Sequence, residues 1–97
     1  MALVQAFEMT LELAWKTLKD YLEHQGFIDI TSGKQAIRQA FQAKVIHQAE
    51  VWMAALEIRN ESSHTYNAQV LDKVIQFIAD KFYPVLCELH QRLEDEL

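Results

Sequence analysis

Apolar residues return every third or fourth position along almost the whole of this 97-residue chain. That spacing keeps them on one face of an α-helix, and little interrupts it, since the sequence holds two glycines and one proline. The first segment, Ala2 to Gln25, carries Val4, Phe7, Leu11, Ala14, Trp15, Leu18, Tyr21 and Leu22 in register. Leu3, Ala6, Thr10 and Leu13 widen the stripe, so this helix is expected to be covered on more than one side. Glu12 and Lys16, like Lys19 and Glu23, stand at i,i+4 and give small surface support. Gly26 is a natural stop, because glycine takes the left-handed conformation that closes a helix.

The remaining chain repeats the pattern. Phe27-Ile28-Asp29-Ile30 is a short apolar connection, and a single strand there has no partner. Thr31 or Ser32 caps a second helix over Lys34 to Ala43, with Ile37, Ala40 and Phe41 on one face. Lys44 to His47 reads as a turn. Gln48 to Asn60 forms a third helix with Val51, Trp52, Ala55, Leu56 and Arg59 in register. Asn67 caps a last long helix, whose stripe runs from Val70 and Leu71 through Phe82 and Leu86 to Leu93. Pro84 lies inside that stripe. It removes a hydrogen bond to Asp80 and crowds that carbonyl, so a kink or brief break is expected near Lys81 to Tyr83. The expected fold is all-α, an antiparallel up-and-down helical bundle resembling a four-helix bundle, with residues 1–97 as one domain and the last helix kinked at Pro84.

Composition narrows the function classes. A net charge of −5 argues against a broad nucleic-acid surface driven by charge. The charge is uneven, however. Ile30 to Ala49 holds no acidic residue but contains Lys34, Arg38, Lys44 and His47. Lys34 and Arg38 are like-charged at i,i+4, an arrangement that favours an anion or an acidic partner opposite, and they are candidate phosphate or partner contacts against the alternative of a solvated face. One cysteine, Cys87, precludes an internal disulfide and suits a reducing compartment. No leader is visible, and no apolar run reaches the roughly 20 residues that span a bilayer. The expectation is a cytoplasmic protein.

Chemistry concentrates between Glu57 and Tyr66, where a strong cation, an imidazole and a phenol crowd together. Arg59 and His64 are five apart and would point roughly 140° from each other on a regular helix. Ser62 and Ser63 compete with helical hydrogen bonds, so a helix ending near Ser62 would let His64 fold back toward Arg59. A second copy of the chain can instead supply the facing half of a site. The plainer reading is that Arg59 and His64 hold the helix end, with Arg59 bonded to Glu57 or Glu61. Elsewhere, Glu8 and Glu12 read as a solvated face, and Trp15 and Trp52 as core or interface. The pairs His47/Glu50 and Cys87/His90 lack a third group for a metal or a catalytic thiol. No cofactor or metal is implied.

Arg59-Asn60-x-x-Ser63-His64-Thr65-Tyr66 resembles the Arg-x4-His-x-Tyr motif of the HEPN superfamily. More narrowly, the chain resembles the nucleotidyltransferase substrate-binding protein family over about residues 5 to 93. Leu13-Ala14-Trp15-Lys16-Thr17-Leu18-Lys19-Asp20-Tyr21-Leu22, Ala36-Ile37-Arg38-Gln39-Ala40-Phe41, Trp52-Met53-x-x-Leu56-x-x-Arg59-Asn60 and Phe82-Tyr83-Pro84-Val85-Leu86 carry that likeness in order. Members usually have a further helix before the segment that opens here. Without it, part of the Val4 to Leu22 face is expected to be exposed and to meet another copy in a homodimer.

The resemblance implies a bundle that partners a minimal nucleotidyltransferase, as a substrate-binding subunit or as half of a toxin–antitoxin pair. It implies, as an alternative, a metal-independent ribonuclease toxin acting on RNA. Arg59 and His64 would then be catalytic, Asn60 would orient them, and Tyr66 would stack on a base or accept a nucleotidyl group. Arg59 offers a charged fork to phosphate, and His64 titrates near neutrality as base or acid. A third possibility is an orphan interaction bundle without catalysis.

Overall fold

The computed structural model describes residues 2–61 and 67–96, with the backbone alone described at residue 61. It is all-α: α1 (Ala2–His24), α2 (Gly33–Gln42), α3 (Ala49–Glu61), α4 (Ala68–Phe77) and α5 (Tyr83–Asp95). A π-helical turn (Ile78–Phe82) joins α4 to α5, so the last two form one continuous helix and the described residues make a four-helix bundle. α1 packs on α2, α3 and α4, and α3 packs on the π-helical turn.

Each boundary has a local cause. At the end of α1, Gly26 takes φ +99°. Its N–H donates to the Glu23 carbonyl (3.1 Å) and the Phe27 N–H to the Leu22 carbonyl (3.0 Å), the paired bonds that satisfy a helix's last carbonyls. α2 ends in the same motif built on a less suitable residue. Lys44 takes φ +63°, with Lys44 N–H donating to Phe41 O and Val45 N–H to Ala40 O. Ser32 is the cap of α2, its Oγ accepting from the Gln35 N–H (3.2 Å). Gln35 answers by accepting from the Thr31 N–H (2.8 Å) and hydroxyl (2.9 Å), a near relative of the capping box. Asn67 caps α4 as expected, its Oδ1 accepting from the Val70 N–H at 2.8 Å.

Pro84 is accommodated without a break. The Tyr83 N–H donates to the Ile78 carbonyl, five residues back, so the ladder widens just before the proline. Phe77, Ile78, Phe82 and Tyr83 all keep right-handed helical dihedrals. Pro84 then falls in the first turn of α5, where its missing N–H leaves little unsatisfied. The expected brief break is thus replaced by a π-helical turn that begins earlier, at Ile78.

The core sits where the stripes meet. Val4, Phe7, Leu11, Ala14, Leu18 and Leu22 of α1 are buried, with Ile37 and Ala40 of α2 and Val51, Trp52 and Ala55 of α3. Phe82, in the π-helical turn, stands edge-on to Phe7 (ring centroids 4.9 Å apart) and to Trp52 (5.7 Å), the offset geometry aromatic rings prefer. The turn therefore carries a central core ring. Two features were not marked by the sequence pattern. Phe41 is half exposed rather than in the core, and the Lys44–His47 turn contributes buried Val45 and Ile46.

Candidate functional site

The residues set apart by charge converge on one cavity. A hollow of about 650 Å³ opens between α1, α2 and α3, lined by Glu12, Trp15, Lys34, Arg38, Arg59 and Asn60 among others. In sequence, Lys34 and Arg38 stand apart from Arg59 and Asn60. The packing of α2 against α3 gives them a common wall. Three cations, Lys34, Arg38 and Arg59, face two carboxylates, Glu12 and Glu57, and Trp15, Met53 and Leu56 supply an apolar floor.

Gly33 lets the first turn of α2 lie close to this floor. A Cβ there would stand 3.2 Å from the Trp15 indole and 3.3 Å from Leu56 Cδ2, tighter than ordinary contact. The indole is thus held against the backbone that carries Lys34. Lys16 reaches over the same indole, its Nζ 6.0 Å from the ring centroid.

The electrostatic centre is Glu12. One of its oxygens lies 2.9 Å from Arg59 Nη2 and the other 3.2 Å from Lys16 Nζ. Hydrogen bonds and charge from Lys16 and then Arg59 hold the Glu12 carboxyl below its ordinary value, so it is anionic at neutral pH. Sequence reasoning placed Glu12 on a solvated face and offered Glu57 or Glu61 as a partner of Arg59; the Glu61 side chain lies outside the described residues. The structure gives Arg59 a partner 47 residues away on α1. The i,i+4 pairing of Glu12 with Lys16 was legible, but nothing in the sequence announced the cross-helix contact.

His64 and Tyr66 lie outside the described residues, as do Ser62 and Ser63. Arg59 and Asn60 stand in the last turn of α3 and reach the cavity. Away from it, the Cys87 sulfur and its charge hold the exposed Tyr83 phenol above its ordinary value, one turn apart on α5. Among the described residues no three His, Cys, Asp or Glu side chains gather to hold a metal ion. Nor is any helix of those residues long and apolar enough to cross a membrane.

A second concavity, about 540 Å³, runs between α1 and α5. It is lined by Thr10, Leu13, Ala14, Thr17, Leu86, Cys87, Leu89, His90 and Gln91, with no aspartate, glutamate, lysine or arginine among the described residues. Leu13, which lines it, is 68% exposed, so this part of the widened stripe, expected to be covered, stands open in the single chain.

The fold is a small all-α bundle with a cavity lined by three cations and two carboxylates. The model of the family described as nucleotidyltransferase substrate binding protein like matches residues 1–95, and the chain belongs to that family. No curated protein matches the chain.

Proposed function

We propose that this chain is the helical, HEPN-like subunit of a two-part nucleotidyltransferase system, and that the cavity between α1, α2 and α3 is its binding site. The carrying observation is the convergence of Lys34, Arg38, Arg59 and Asn60 on one hollow in a chain whose net charge is −5. A volume of about 650 Å³ is in the range of small-molecule pockets. The catalytic subunit would be a minimal nucleotidyltransferase, whose substrate or nucleotide this pocket holds. The family's name supports that partnership.

The bundle acts as a homodimer in this reading. Two copies each carrying −5 repel, so a self-complementary contact favours an uncharged surface. The α1–α5 groove with exposed Leu13 is such a surface. The setting is cytoplasmic, in keeping with one free cysteine. The ribonuclease alternative uses the same Arg59, with His64 as base or acid. Glu12 on Arg59 favours a holding role for that guanidinium over a catalytic one.

The test is association. The purified chain is titrated into a minimal nucleotidyltransferase by calorimetry, with and without nucleotide. Binding that weakens when Lys34 and Arg38 are both changed to alanine supports the reading. Failure to associate under either condition, together with RNA cleavage that is lost in His64→Ala, would replace it with the ribonuclease.

A further inference from the structure

We infer that the cavity binds the phosphate groups of its ligand through Arg59, Lys34 and Arg38, and that the Glu12 carboxylate occupies the phosphate position on Arg59 until the ligand displaces it. The inference rests on the reading that this cavity is the binding site and goes further by naming the ligand's chemistry and a built-in competitor.

Glu12 presents an oxygen 2.9 Å from Arg59 Nη2, where a phosphate oxygen would sit in a charge-assisted hydrogen bond. Its other oxygen is held by Lys16 at 3.2 Å. When a ligand takes the guanidinium, Glu12 keeps Lys16 and is not left as an unpaired charge. The exchange therefore replaces one anion on Arg59 by another and abandons neither. Half-exposed carboxylates such as this one are also free to move into solvent.

Lys34 and Arg38 point to the rest of the ligand. α2 contains no acidic residue, the two cations repel at i,i+4, and neither forms an ion pair among the described residues. They stand on the wall beside Arg59. A monoanion on Arg59 alone leaves them unneutralised, whereas a chain of phosphates can meet all three cations. Trp15, Met53 and Leu56 offer an apolar floor beside those cations, which suits the base of a nucleotide better than a bare inorganic chain. Phosphate chemistry is common to nucleotides and to inorganic polyphosphate, and the probes below separate them.

The test is calorimetric titration of the full chain with sodium tripolyphosphate, ATP and adenosine. Tripolyphosphate and ATP should bind, and adenosine should not. Changing both Lys34 and Arg38 to alanine should weaken both ligands by about tenfold or more. Glu12→Gln should tighten both by roughly fivefold or more, because the internal competitor is gone. Glu12→Ala should give the same gain and serves if the glutamine variant unfolds in a thermal melt. ATP binding tighter than tripolyphosphate assigns the phosphates to a nucleotide, and equal binding assigns them to free polyphosphate. The inference is overturned if neither phosphate ligand binds at millimolar concentration, if the Glu12 variants bind no tighter than the wild type, or if the Lys34/Arg38 double variant binds as well. None of these outcomes depends on association with a transferase, so failure of the phosphate site and failure of the two-subunit reading are separately visible.

Discussion

The two sides of α1 are built from opposite materials. Toward α2 and α3 it offers Glu12 and Trp15 to a cavity with three cations and two carboxylates. Toward α5 it offers Thr10, Leu13, Ala14 and Thr17 to a groove with no aspartate, glutamate, lysine or arginine among the described residues that line it. The buried line from Val4 to Leu22 runs between them and ties both to the same core. A helix that needed only to stabilise the fold would have one apolar face and a solvated back. This one has a core face flanked by two specialised flanks, a charged one suited to a small anion and an uncharged one suited to another apolar surface. If the proposed roles hold, the difference teaches that ligand binding and assembly can be altered independently while the spine between them stays fixed.

The largest effect is expected from breaking that spine. Trp52 is fully buried and packs edge-on to Phe82, which also meets Phe7. Trp52→Ala should cost about 3–5 kcal/mol in urea unfolding and degrade cavity and groove together. If one side survives intact, the two are not tied through a common core.

On the groove, Leu13→Glu should convert a dimer to monomers in light scattering, with affinity in the cavity unchanged. An unchanged mass would remove the groove from the assembly. On the cavity, changing Lys34 and Arg38 to alanine should leave the melting temperature nearly unmoved, because both are exposed, while anion binding falls by about tenfold. A large loss of stability would mean that these side chains hold the bundle rather than a ligand.

A smaller effect sharpens the account of the helix ends. Lys44 takes the left-handed conformation that Gly26 adopts without penalty. Lys44→Gly should raise stability by about 0.5–1 kcal/mol, the relief of a Cβ in that conformation less the added freedom of the unfolded chain. The smallest effect concerns pH. Glu12 is held below its ordinary value of 4.5, so its ion pairs stabilise the fold above that pH and the contribution is lost as pH falls through the depressed folded value. The difference in melting temperature between wild type and Glu12→Gln should be constant near neutrality and vanish in acid. A difference that persists in acid would trace it to packing instead.

Much of this was legible in the sequence because periodicity is local. The 3–4 spacing picked out the buried Val4, Phe7, Leu11, Ala14, Leu18 and Leu22 of α1, though Trp15 and Tyr21 in the same stripe are only partly buried, and Ser32, Asn67 and Gly26 announced helix ends through chemistry confined to a few neighbours. Pro84 was read as a kink or brief break, whereas the chain widens into a π-helical turn, because the relief is distributed over five preceding residues. Lys44 was placed in a turn, yet its positive φ carried no signal of the kind that glycine gives. The burial of Val45 and Ile46 likewise depends on how α2 and α3 meet, which no local pattern records. For the cavity, the residue types were visible in the acid-free window and in the Arg59 segment, but their convergence and the bond from Glu12 to Arg59 are long-range facts of packing.

The most direct measurement is a residue-resolved NMR titration of the full chain with tripolyphosphate, following the Arg59 Nε–H, the Trp15 indole N–H and the backbone amides of α2 and α5. The expected result is saturable shifts at Arg59, Trp15 and the first turns of α2, with the amides around Leu86 to Gln91 unmoved. Shifts confined to the α5 side, or none at Arg59, would contradict the assignment of the charged side of α1 to ligand and the uncharged side to assembly.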